Sequence, residues 1–164
     1  MALYRIKQFY WAITSEINLQ DREFLKQYLN KNELLLFYKL VVYDQKHSIK
    51  TAQDVKEICF KNNICNDNLI KAALLHDVGK IINGLNLFEK SIIVILDKVF
   101  KDKIRKYENL KLVDSYYNHG EKGYHILKEH GYDERFLYLV KNHHNNDIIG
   151  DKELNILKQC DSNN

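Results

Sequence analysis

Five segments of this chain carry an apolar stripe that finishes in a side chain able to bind a metal or move a proton. In DNLIKAALLHDVGK, Leu69, Ala73 and His76 share one helical face at four and three spacing, with Asp77 beside them. His47 lies one turn before Thr51 on the side that continues to Val55 and Ile58. His119 precedes Gly123, Ile126 and Leu127, while Phe136 and Leu139 or Val140 lead to His143. Leu154 and Leu157 lead likewise to Asp161. A polar group entering a core must be satisfied there, and a buried carboxylate is costly unless a cation meets it. Taken singly, such a His is usually a hydrogen-bonded core residue and such an Asp a helix cap. One divalent metal cluster explains all five together, and neutral imidazoles with carboxylates suit Fe, Mn or Zn.

Helices must position these groups. Apolar residues recur at three and four spacing almost throughout, with no internal repeat and no linker. The pattern predicts helices over Tyr4–Glu16 and Asp21–Leu29, a third from Asn32 toward Asp44, and a fourth over about Gln45–Phe60. Asn66 and Asp67 can cap a fifth, running through Ile70 to Asp77 and stopped by Gly79. Further helices follow over Leu87–Phe100, roughly Asp114–Tyr117, Gly120–His130 (ended by Gly131), Asp133–Asn142 and Asp151–Asp161. Proline is absent and glycine occurs six times, too few for the turns of a compact β-protein. The expectation is an all-α bundle of about eight or nine short helices.

With 164 residues and 19.6 kDa, the chain suffices for one domain and its core. The net charge of +3 comes from scattered lysines without a basic stripe, so no nucleic-acid partner is expected. The longest aliphatic run, Ile92 to Leu96, falls far short of the roughly 20 residues that cross a bilayer. Lys and Arg precede any useful apolar stretch at the N-terminus, unlike a signal peptide. A cytoplasmic protein without membrane partners is therefore expected. Cys59, Cys65 and Cys160 are odd in number and lack C-x-x-C spacing, against both a disulfide framework and a thiolate zinc site.

His47 in KHSIKTA, His76 and Asp77 in AALLHDVGK, and Asp161 in ILKQCD resemble the H…HD…D signature of the HD-domain superfamily of metal-dependent phosphohydrolases. His119 in NHGEKGYHIL and His143 in LVKNHHNND resemble the histidines that complete a two-metal site in some branches. The likeness spans about Tyr38 to Asp161; QFYWAI and LFYKLVVYDQKH also resemble small bacterial single-domain members. It implies one HD domain over residues 1–164, with a metal-binding core at about 38–161 and the N-terminal helices of 1–37 packed on it. It also implies two divalent ions, Fe or Mn foremost, with Mg, Ni or Zn as alternatives. Asp77 would bridge them, with His47, His76 and Asp161 toward one ion and His119 and His143 toward the other. NNDIIG after His143 and His144 lacks the acidic residue, DG and GYP of the HD-GYP cyclic-dinucleotide phosphodiesterases. Tyr43 stands where some of those enzymes carry a Glu for a third metal. The intact ligand set separates the chain from HDOD modules, which have lost theirs.

Two divalent ions against two carboxylates leave a positive site that favours phosphoryl oxygens. Water held between ions roughly 3.5–4 Å apart becomes a nucleophile near neutral pH and attacks phosphorus in line. The expected activity is hydrolysis of a phosphoester or phosphoanhydride, in a nucleotide or dinucleotide polyphosphate, with Asp77 orienting the nucleophile or taking its proton. Lys80 can meet a substrate phosphate outside the metals or simply favour a helix C-terminus. His144 reads as an exposed neighbour of His143 or an outer-shell group, and Tyr107, Tyr116 and Tyr117 as core or as stacking platforms. A mononuclear nucleotidase using only His47, His76, Asp77 and Asp161, and a metal-loaded nucleotide sensor without turnover, remain as alternatives. The oligomeric state is not encoded in any of these features.

Overall fold

The computed structural model describes residues 16–164 apart from Cys65, and the described residues form helices and no strand. The opening helix expected over Tyr4–Glu16 lies almost wholly outside them. Nine α-helices follow among the described residues: α1 (Leu19–Tyr28), α2 (Lys31–Phe37), α3 (Val42–Lys61), α4 (Asp67–Leu75), α5 (Leu87–Phe100), α6 (Lys111–Tyr117), α7 (His119–Glu129), α8 (Glu134–Asn142) and α9 (Lys152–Asn163). Tight 3-10 turns at Val78–Ile81 and Lys101–Tyr107 join α4 to α5 and α5 to α6. No described helix is long and apolar enough to cross a membrane.

Side-chain caps explain most helix starts. Asn18 with Asp21 and Asn30 with Glu33 form reciprocal capping boxes, while Asn66, Asp133 and Asp151 each accept from a backbone N–H of the first turn. Two departures from the expected boundaries bear on the site. The chain breaks at residues 38–41, so α3 starts at Val42, ahead of Gln45. There the Gln45 amide donates to the Leu40 carbonyl at 2.6 Å, replacing a partner that a continuous helix would have supplied.

Gly79 corrects the other boundary. Helix α4 ends at Leu75, ahead of His76 and Asp77, and Gly79 sits within the 3-10 turn and lacks a positive φ. Close approach is what requires glycine: a Cβ there would sit 1.9 Å from the His119 carbonyl oxygen. On α7, a Cβ at Gly120 would likewise lie 2.6 Å from the Lys141 carbonyl oxygen of α8. Two bare backbones thus let α7 press against both the His76–Asp77 turn and α8. Gly131, with φ +79°, ends α7 in the left-handed conformation expected of a glycine after a helix.

The main core gathers Leu25, Leu36, Phe37, Val55, Leu74, Leu137 and Leu157 from α1, α2, α3, α4, α8 and α9. The closest packing joins α3 to α4, α7 to α8 and the first 3-10 turn, and α9 to α3. A second, smaller core consists of Leu85, Ile93, Ile104 and Val113, within an arm made of α5, the second 3-10 turn and α6.

Candidate metal centre

Five elements deliver their polar ends to one buried point. His47 comes from α3, His76 and Asp77 from the end of α4, His119 from the start of α7, His143 from the end of α8 and Asp161 from α9. His76, Asp77, His119 and His143 are buried. The Asp77 carboxylate stands between two sets of imidazoles. Its Oδ2 lies 3.5 Å from His76 Nε2 and 4.0 Å from His47 Nε2. Its Oδ1 lies 3.4 Å from His119 Nε2 and 4.0 Å from His143 Nε2. Asp161 Oδ1 closes the first set, 2.8 Å from His47 Nε2 and 3.3 Å from His76 Nε2. All six residues to which the sequence analysis gives metal-binding roles are therefore brought together.

Backbone carbonyls orient the rings. Nδ1 of His76, His119 and His143 lies 2.8, 2.9 and 2.6 Å from the carbonyl oxygens of Ala73, Tyr116 and Val140, each three residues back. A carbonyl only accepts, so each Nδ1 carries a proton and each neutral ring turns its Nε2 lone pair inward. This is how a metal-binding imidazole is fixed by its outer partner.

Electrostatics prepares the same donors. Burial opposes charge on Asp77, but Lys80 above all, with His76, His119 and His47, holds its pKa well below the usual carboxylate range. Burial likewise opposes ionisation of Asp161, yet the hydrogen bond with His47 and the His76 imidazole beside it keep its pKa strongly lowered. Burial and Lys80 push His119 down to about 3, and burial with His144, His76 and His119 holds His143 well below its ordinary value. His76 goes the other way. Burial opposes its charge, but Asp77 and Asp161 raise it to about 9.

The donor set fits a divalent ion and fits poorly without one. His119 Nε2 and His143 Nε2 are 3.2 Å apart. Both Nδ1 protons are committed to carbonyls, so in the neutral rings two lone pairs face each other. His76 Nε2 and Asp77 Oδ1 are buried with no hydrogen-bond partner, a burden of about 1–3 kcal/mol for each such group. A cation among these atoms relieves all of this at once. The donors also form three tight groups, His47 with His76 and Asp161, His119 with His143 and His144, and His76 with Asp77 and His143 between them, the atoms in each lying within 4.8 Å of one another.

His144 belongs with them, although its side chain is 57% exposed: its Nδ1 lies 3.5 Å from Asp161 Oδ2. Adjacency to His143 was its one sequence signal, and the turn after α8 aims both rings inward. Lys80 is held inward as well, its ammonium on Asp77 Oδ2 and 3.7 Å from Asp44 Oδ1. His125 and His130 are exposed and lie outside the cluster.

An all-helical bundle that closes around convergent imidazoles and carboxylates defines a metal-centre domain. The HD domain family matches residues 45–162, and the chain belongs to that family, whose members are in general metal-dependent phosphohydrolases. No curated protein and no solved structure gives a significant match.

Proposed function

We propose that the protein is a phosphohydrolase that holds two divalent ions and cleaves a phosphoester or phosphoanhydride of a nucleotide or dinucleotide polyphosphate. One observation supports this above all: the two oxygens of Asp77 face two separate sets of imidazoles, with Asp161 completing the first. His47, His76 and Asp161 would hold one ion, His119 and His143 the other, and Asp77 would contact both. Fe or Mn suits this mixed nitrogen and oxygen set, with Mg, Ni and Zn as further choices. Bound divalent ions supply Lewis acidity toward phosphoryl oxygens and lower the pKa of water. Asp77 orients the nucleophile and can take its proton. Lys80, partly exposed beside Asp77, leaves that carboxylate for a substrate phosphate when Asp77 is engaged by metal.

Turnover assays over mono-, di- and cyclic nucleotides with Mn, Fe, Ni or Mg test the proposal. Sustained phosphate release that disappears in Asp77→Ala is the expected result. Tight nucleotide binding without release in any metal would make the protein a sensor. Activity surviving loss of both His119 and His143 would reduce the centre to one metal.

A further inference from the structure

Lys90 stands at the outer edge of the centre with a role that hydrolysis at the metals does not by itself require. It rises from α5 and places its ammonium 2.5 Å from Asp44 Oδ1, on α3 one turn before His47. Lys80 reaches the same oxygen at 3.7 Å while touching Asp77. The Asp44 side chain is 2% exposed, whereas those of Lys80 and Lys90 are 17% and 31% exposed. The Lys90 ammonium also lies 4.3 Å from the centroid of the Tyr43 ring, whose hydroxyl donates to the Leu85 carbonyl. Its direction is thus fixed by a cation–π contact as well as an ion pair.

Charge around these lysines changes once Asp77 turns to metal. Asp44 and Asp77 are the carboxylates in ion-pair contact with the two ammonium groups among the described residues. With Asp77 engaged by metal, two ammonium groups share one buried carboxylate, and one positive charge is left beside the centre. Crowding is already evident, since burial and the Lys80 ammonium push the Lys90 pKa below its ordinary value. An anion adjoining the group held at the metals restores the balance.

We propose that Lys90 and Lys80, gathered on Asp44, form a second phosphate subsite, so that the substrate is a phosphoanhydride presenting two adjoining phosphates. This rests on the metal-centre function proposed above and narrows its substrate class. Asp44 is a positioning residue here, holding the ammonium groups at the height of the second phosphate.

Isothermal titration of the Mn-loaded full chain with imidodiphosphate and with orthophosphate tests the subsite, with metal per chain measured on the same samples. Lys90→Gln is expected to weaken imidodiphosphate by at least about tenfold, the scale of one lost charged hydrogen bond. Orthophosphate affinity and metal content stay unchanged, and Lys90→Arg retains imidodiphosphate binding. Lys90→Met, which keeps the aliphatic stem against Tyr43, supplies the same contrast if the Gln variant does not fold. Equal weakening of both ligands, or of neither, overturns the subsite and leaves Lys90 as a tie between α5 and α3. Absence of metal from the wild-type chain would instead overturn the parent proposal, and the subsite with it.

Discussion

The main bundle and the α5–α6 arm are built from similar residues but do different work. In the bundle, α3, α4, α7, α8 and α9 each bury an apolar face, and each presents a His or Asp to one central point. The arm buries Leu85, Ile93, Ile104 and Val113 and leaves Ile92, Ile95 and Val99 of α5 more than half exposed. It supplies none of the candidate metal-binding side chains and meets the centre through Lys90 on Asp44 and through the Tyr116 carbonyl behind His119. Precise placement of the candidate ligands therefore coincides with the dense core, while the arm beside it is lightly packed, as expected where local opening free energies are low.

The largest expected contrast is in stability. Leu74 is fully buried in the main core, and Leu74→Ala should cost about 3 kcal/mol of global stability in denaturant titration. Ile93→Ala also deletes a fully buried side chain, but its global cost should be less than half as large, because the arm opens before the bundle unfolds. Hydrogen exchange sharpens the same comparison: α5 and α6 should exchange well before α3, α4 and α9. Equal protection of arm and bundle would erase the distinction.

Gly79→Ala comes next. The added Cβ meets the His119 carbonyl, so α7 must move, at a cost of about 1–3 kcal/mol for overpacking. Because His119 moves with α7, the variant should lose metal from the His119–His143 side first, which elemental analysis reads directly. A variant with unchanged metal content and stability would show that the close approach positions nothing.

The smallest effect lies on the surface of the bundle, between α8 and the start of α9. Arg135 pairs with Asp151 and lowers its pKa from an ordinary 3.8 to about 2, against the opposing effect of burial and with help from the Leu154 N–H. A depressed carboxylate stabilises the fold above its unfolded pKa and loses that contribution as pH falls through the folded value. The Tm difference between wild type and Asp151→Asn, which keeps a helix-capping side chain, should therefore be small near pH 6 and shrink between pH 4 and pH 2. Its size stays modest because the Arg135 side chain is exposed and solvent screens the pair.

Much of this was legible in the sequence because helices carry a period. Stripes ending at His47, His76, His119, His143 and Asp161 pointed to the side chains that meet at one place, and Leu87–Phe100 has the same bounds in sequence and structure. Other features depend on distant partners. Asp44 only marks where a helix ends in the sequence until α5 folds over it, and Gly79 reads as a helix stop until α7 comes within a methyl group of it. Lys80 carries a charge that suits phosphate, but the sequence does not show that Asp77 and Asp44 both hold it. His144 is set by the turn after α8, which has no apolar period to read. The inward face of α5 was hidden for a related reason: apolar residues encircle the helix, so periodicity finds it without saying which side packs.

Metal per chain, measured by elemental analysis of anaerobically purified full-length protein, tests the central claim most directly. Two divalent ions per chain are expected, falling to one when His119 and His143 are both replaced by Ala. A wild-type protein that neither retains metal nor takes it up on addition of Mn or Fe would contradict it.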